Sequence, residues 1–251
     1  MINSWRLAVG TLTALRWRPP TAVDREVAGR AMLLAPLAVL PLGFLVGVVC
    51  WAGRELELAP LAIAFVAVGA LALGSRALHL DGLSDVADGM TASYARDRSL
   101  DVMKGGTAGP AGAAALVLVL GIQAASLAAV LSAPRGPVVA GLLVCCSRAI
   151  LSVCCARGIP AARVDGLAVT YVGTVARVAT VLTWLAVAVL CIGVLDWAGW
   201  PWWQGLVVAG AGLGVGAALT YRCVRRFGGV TGDVFGAAIE VSLAAMLLAA
   251  T

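Results

Sequence analysis

Three carboxylates, Asp81, Asp85 and Asp88, fall within eight residues of the stretch His79-Leu-Asp-Gly-Leu-Ser-Asp-Val-Ala-Asp-Gly89, in a chain that is otherwise oily. Their i, i+4, i+7 spacing stacks them on one face of a helix, where like charges repel unless a cation holds them together. A divalent metal is the natural partner. Mg²⁺ takes one or two protein carboxylates and completes its octahedron with water and substrate phosphate. Three carboxylates have room for two ions, an arrangement suited to phosphoryl transfer. The competing reading is a helix end that simply faces water. Leu80, Leu83, Val86 and Met90 weigh against it, because they make the segment amphipathic at a membrane boundary where free charge is costly. His79, the only histidine, is a candidate to ligate or to orient.

A second acidic motif lies near the end, Phe227-Gly228-Gly229-Val-Thr231-Gly232-Asp233-Val-Phe-Gly236-Ala-Ala-Ile-Glu240. A glycine-rich loop leads into a helix with Asp233 in its first turn, a good N-terminal cap. Glu240 follows at i+7 on the same face, two turns into an apolar run. An ionisable residue at membrane depth is a functional candidate by default, and Arg148, which interrupts another apolar run in Cys-Cys-Ser-Arg-Ala-Ile, is one for the same reason. Between the two motifs, Arg96-Asp-Arg98-Ser-Leu-Asp-Val-Met-Lys104-Gly-Gly-Thr-Ala-Gly109-Pro-Ala-Gly112 mixes cations with glycines ahead of a helix. Backbone amides of such a turn can receive phosphate, and so can the cations. A basic flexible loop looks the same in sequence.

The elements that must position these residues are membrane helices. Of the 251 residues, 61% are hydrophobic and 12% charged, against about 25% charged in ordinary globular domains. The expected fold is all-α, a polytopic integral membrane helix bundle of 6–7 transmembrane helices, with 1–251 as one membrane-embedded catalytic domain. Apolar runs of spanning length lie at 31–52, 57–77, 110–132, 137–157, 178–199 and 202–221, with a shorter one at 234–250. Residues 1–30 lack the apolar core and cleavage site of a signal peptide and read as an interfacial segment, with Trp5, Leu7, Leu12, Leu15 and Trp17 as its greasy members. Segments 78–110 and 222–240 carry the acidic motifs. Pro36 and Pro41 sit inside the first run, where neighbouring helices can satisfy the freed backbone groups. The seven cysteines form no pair with metal-ligand spacing and read as small hydrophobes packed between helices.

Sixteen of the eighteen lysines and arginines fall on one side of the alternating runs, leaving Arg54 and Arg135 on the other. By the positive-inside rule the N-terminus and every polar constellation face the cytoplasm, in the cytoplasmic (inner) membrane, with the C-terminus outside. The net charge of +5 thus reports loop orientation and not nucleic acid. A cytosolic substrate, such as a nucleotide derivative, follows from the same placement.

In order along nearly the whole chain, HLDGLSDVADG, the RDRSLDVMKGG loop ending in Gly109, Ser147-Arg148, the stretch from Ala156-Arg157 to Gly166-Leu167, and GGVTGDVFGAAIE resemble the cobalamin synthase family, the adenosylcobinamide-GDP ribazoletransferases. The resemblance implies a membrane-embedded, Mg²⁺-dependent transferase that joins α-ribazole, or its 5'-phosphate, to adenosylcobinamide-GDP with release of GMP, late in cobalamin biosynthesis. It implies Asp81, Asp85, Asp88, Asp233 and Glu240 as catalytic and metal-binding residues. His79, Arg98, Lys104, Arg148, Arg163, Gly229, Thr231 and Gly232 are the corresponding expectations for substrate and phosphate. The chain departs from the family pattern at Gly105, where an acidic residue is usual, and at Thr107. Two other classes fit part of the pattern. A CDP-alcohol phosphotransferase also clusters aspartates at the membrane boundary, but its motif asks for an Ala-Arg pair where this chain reads Val-Ala-Asp-Gly. A cation-coupled transporter would need polar groups on both sides of the membrane. Glycine- and alanine-rich helix faces leave room for a homo-oligomer.

Overall fold

A computed structural model describes all residues, 1–251, and builds them into helices joined by short connections. In chain order these are α1 (Ile2–Leu12), α2 (Arg25–Leu33), α3 (Ala35–Ala38), α4 (Leu40–Glu55), α5 (Pro60–Gly74), α6 (Leu78–Ala92), α7 (Arg96–Lys104), α8 (Pro110–Val130), α9 (Gly136–Ser147), α10 (Leu151–Cys154), α11 (Leu167–Tyr171), α12 (Arg177–Ala198), α13 (Trp202–Phe227) and α14 (Gly232–Ala249). A 3₁₀ turn, Arg148–Ile150, joins α9 to α10, so the two behave as one rod. Five rods are long and apolar enough to cross a membrane: α8, α9 with α10, α12, α13 and α14. They carry much of a polytopic bundle whose outer face is apolar, with Phe44, Leu73, Val117, Val178 and Val189 exposed. An exposed apolar surface of this extent belongs in lipid.

Two of the expected runs do not form continuous spans. The run 31–52 is broken into α2, α3 and α4, because Pro36 and Pro41 each lack the N–H that an unbroken helix needs at those positions. The run 57–77 stops at Gly74. Arg76 and Ala77 then take positive φ angles of 58° and 54°, and α6 leaves at 93° to α5. The segment after α6 is also more ordered than a loop, since Arg96–Lys104 is helical. At the N-terminus the helix covers Ile2–Leu12 alone, and Leu15 and Trp17 are exposed beyond it. All seven cysteines are free and buried, as their apolar surroundings imply.

The centre of the bundle is α14. It packs against α13, α6, α8 and α9, and most of its length is buried. Helix α6 lies antiparallel along it, held at two points where only glycine fits. A β-carbon on Gly82 would meet the backbone of Asp233 at 2.5 Å, and one on Gly236 would meet the His79 backbone at 2.8 Å. Small residues at such crossings are what allow two membrane helices to approach closely.

Candidate functional site

The two glycine contacts bring the two acidic motifs together. Asp81 and Asp233 open onto one cavity of about 250 Å³, also lined by His79, Arg163, Asp165, Thr231 and Gly232. Asp85, one turn along α6 and half-buried, lies within electrostatic reach of Asp81, Asp88, Asp233 and Arg163. Asp233 accepts a hydrogen bond at Oδ2 from the Thr231 hydroxyl, 3.0 Å away, which fixes its rotamer at the start of α14. Among the residues that line the cavity, the one lysine or arginine is Arg163. Its guanidinium is anchored by donating from Nη2 to the Leu100 carbonyl.

Arg163 and Asp165 stand on a loop that would otherwise be free to move. Two isolated β-bridges hold it, Ala156 to Val175 and Ala161 to Val230. The second runs through Ala162 N–H to Val230 O at 2.9 Å and Val230 N–H to Pro160 O at 3.0 Å, tying the loop to the entry of α14. Gly229 lies in this seam, packed against the backbone of Ala161 and Ala162, and does not line the cavity. Arg96, the first cation of the stretch expected to receive phosphate, instead closes the seam by donating to the Ala162 carbonyl at 2.7 Å.

Other expected residues sit elsewhere. Asp88 is buried and accepts from Gly109 N–H at 2.7 Å and Gly112 N–H at 2.9 Å, so its carboxylate caps α8. That helix start, expected to receive phosphate, is filled by the protein's own anion, an equivalent use of the same unpaired amides. Arg98 is exposed on α7 and outside the cavity lining. Lys104, also exposed, approaches Asp165 Oδ2 at 3.8 Å.

Glu240 does not reach the cavity. It is buried, accepts at Oε2 from Gln123 Nε2 at 2.8 Å, and faces His79 Nδ1 across 3.5 Å from Oε1. Gln123 also donates to the Glu240 carbonyl at 3.1 Å. Arg148 is fully buried nearby, donating from Nη1 to Val144 O and to the Ser147 hydroxyl, both at 2.8 Å, while its Nε and Nη2 have no partner. The position at membrane depth that marked Glu240 and Arg148 as functional thus leads to an internal polar knot. A signal for its third member was present. Gln123 is the one amide in the 21 otherwise apolar or small residues of α8.

No three His, Cys, Asp or Glu side chains converge as a preformed metal cage. The donor chemistry at the cavity suits a different mode. Asp81 and Asp233 offer hard oxygens from facing helices, the one or two carboxylates that Mg²⁺ uses when substrate phosphate and water supply the rest. The remaining wall is mostly apolar and contains residues absent from the sequence expectations: Thr11, Tyr171 and Phe235, from three different helices. Nothing in their local pattern distinguishes them from packing residues.

The model of the family described as cobalamin-5-phosphate synthase matches residues 4–251. A Nocardioides sp. protein named adenosylcobinamide-GDP ribazoletransferase is 55% identical over 249 residues, covering 99% of this chain and 98% of its own. Proteins of the same name from Frankia casuarinae and Brucella anthropi are 39% and 35% identical, over 99% and 84% of this chain and 94% and 82% of theirs. No solved structure matches. With a match running from residue 4 to the last residue and the two acidic motifs meeting at one cavity, the chain belongs to the cobalamin-5-phosphate synthase family.

Proposed function

We propose that this protein is a Mg²⁺-dependent transferase that joins α-ribazole, or its 5'-phosphate, to adenosylcobinamide-GDP and releases GMP, completing the nucleotide loop of a cobalamin. The observation that carries the reading is the meeting of Asp81 and Asp233, from the two acidic motifs, on one cavity that also holds Arg163. The relatives named for this reaction support it along the full chain.

In the reaction, a ribose hydroxyl of the acceptor forms a bond to the phosphorus nearer the corrinoid. The bond from that phosphorus to the oxygen of the GMP phosphate breaks, and GMP leaves with the electron pair. The hydroxyl proton passes to a carboxylate lining the cavity. Asp81 and Asp233, with Asp85 beside them, would hold Mg²⁺, which when bound neutralises charge on the diphosphate. Arg163 stands where it can steady charge on the transferring phosphoryl group. Thr231 keeps the Asp233 carboxylate aimed. The sixteen cations on one side of the alternating apolar runs support a cavity that faces the cytoplasm, where a nucleotide-bearing donor is found.

The test uses the purified full-length protein in detergent with adenosylcobinamide-GDP, α-ribazole and Mg²⁺. GMP release that needs all three supports the reading. Release of a nucleoside monophosphate from a CDP-alcohol donor in place of adenosylcobinamide-GDP overturns it.

A further inference from the structure

The cavity follows one face of α14 through Gly232, Asp233, Phe235, Gly236 and Ile239, and its character changes along the way. Its acidic groups stand at the start of the helix. At a rise of 1.5 Å per residue, Ile239 lies roughly 9 Å further along the axis than Asp233. Leu12, Met32, Leu151 and Ile239, from four different helices, supply an apolar part of the cavity wall. Tyr171 and Phe235, which also line it, pack edge to face, with ring centroids 6.2 Å apart and planes at 81°. Both rings are nearly buried, at 2% and 7% exposure, yet both line the cavity.

The Tyr171 hydroxyl has one hydrogen-bond partner, the Thr11 hydroxyl at 3.4 Å, and Thr11 has no other. Two hydroxyls carry two protons, and their mutual bond uses one. The second proton has no protein acceptor within hydrogen-bond reach, so a ligand in the cavity can take it. His79, the other polar side chain near this depth, turns its Nδ1 towards Glu240.

We infer that this apolar region is the subsite for the flat aromatic base of the acceptor nucleoside, and that the Thr11–Tyr171 hydroxyl pair donates a hydrogen bond to the unsubstituted ring nitrogen of that base. The inference rests on the reaction proposed above. α-Ribazole is a benzimidazole riboside, so it presents an apolar π-face, one ring nitrogen with a free lone pair, and a ribose hydroxyl. The base lies against Phe235 and Tyr171, the lone pair takes the spare proton, and the ribose extends towards Asp81 and Asp233. The pair thereby determines specificity, favouring bases with an acceptor nitrogen over bases with carbon there. A site built to hydrogen-bond a substrate atom rejects the analogue that lacks it, because the site's own group is left unpaired.

The experiment measures initial rates of GMP release by the full-length enzyme at fixed adenosylcobinamide-GDP, varying either α-ribazole or the α-riboside of dimethylindole, in which CH replaces the acceptor nitrogen. For wild type, KM for the indole riboside is expected about tenfold above that for α-ribazole, one hydrogen bond's worth. The double variant Thr11→Val, Tyr171→Phe raises KM for α-ribazole about tenfold and leaves KM for the indole riboside and for the donor within about twofold. Tyr171→Phe alone, which preserves the ring, gives a smaller shift in the same direction because Thr11 can still donate. An equal rise for both acceptors, or none for either, overturns the subsite while the reaction stands. If wild type releases no GMP from adenosylcobinamide-GDP and α-ribazole, the reaction reading fails and the subsite falls with it.

Discussion

Replacing Glu240 with Gln separates a structural role from a metal-binding one. The substitution keeps the shape and still lets Gln123 Nε2 donate to the oxygen it now meets at 2.8 Å. What disappears is the negative charge facing His79 and balancing Arg148, a guanidinium with no exposed surface and two unpartnered nitrogens. Removing one partner of a buried ion pair costs roughly 3–5 kcal/mol. Glu240 and Arg148 interact through space without a direct ion-pair contact, so we take about 2–3 kcal/mol, below that range. At about 2–4 °C per kcal/mol for a chain of this size, the melting temperature in detergent should fall by roughly 4–12 °C. Tryptophan fluorescence during a thermal ramp measures it. The double variant Glu240→Gln, Arg148→Met removes both charges and should recover part of the loss, a coupling that a double-mutant cycle quantifies. In the same preparation, the Mg²⁺ concentration giving half-maximal GMP release should stay within about twofold of wild type, because Glu240 does not line the cavity. A variant melting within about 2 °C of wild type that no longer responded to Mg²⁺ would refute the reasoning and return Glu240 to the ligand set.

Three further outcomes test the site. Asp81→Asn should weaken the Mg²⁺ response of GMP release by at least about tenfold with little change in melting temperature, since Asp81 is exposed and makes no protein hydrogen bond through its side chain; a matching thermal loss would mark it as structural. Gly82→Ala presses a methyl group onto the Asp233 backbone, so kcat/KM should fall about tenfold or more while far-ultraviolet circular dichroism keeps its helical signal. Asp88→Ala frees the amides of Gly109 and Gly112 and should destabilise the protein by about 1–2 kcal/mol, with Asp88→Asn milder because one acceptor oxygen remains, both read from thermal unfolding.

Much of this architecture is determined by local properties of the chain. Hydropathy over about 20 residues marks membrane helices wherever they pack, so α8, α12 and α13 follow from composition, and the buried free cysteines follow from their apolar neighbours. Proline at 36 and 41 reads as tolerable inside one continuous run, since neighbouring helices can satisfy the freed backbone groups, but whether they do is a matter of packing, and the chain breaks there instead. The i, i+4, i+7 spacing of Asp81, Asp85 and Asp88 describes one helix correctly while saying nothing of what lies opposite each residue. Only the antiparallel fit of α6 on α14, permitted by Gly82 and Gly236, decides that Asp81 meets Asp233 at a cavity, that Asp88 instead finds the amides of α8, and that Glu240, two turns beyond Asp233, is drawn to His79 and Gln123. The periodicity of a helix places residues on a face. Which face another helix covers depends on contacts between residues from 21 to more than a hundred positions apart, and those exist only once the bundle has closed.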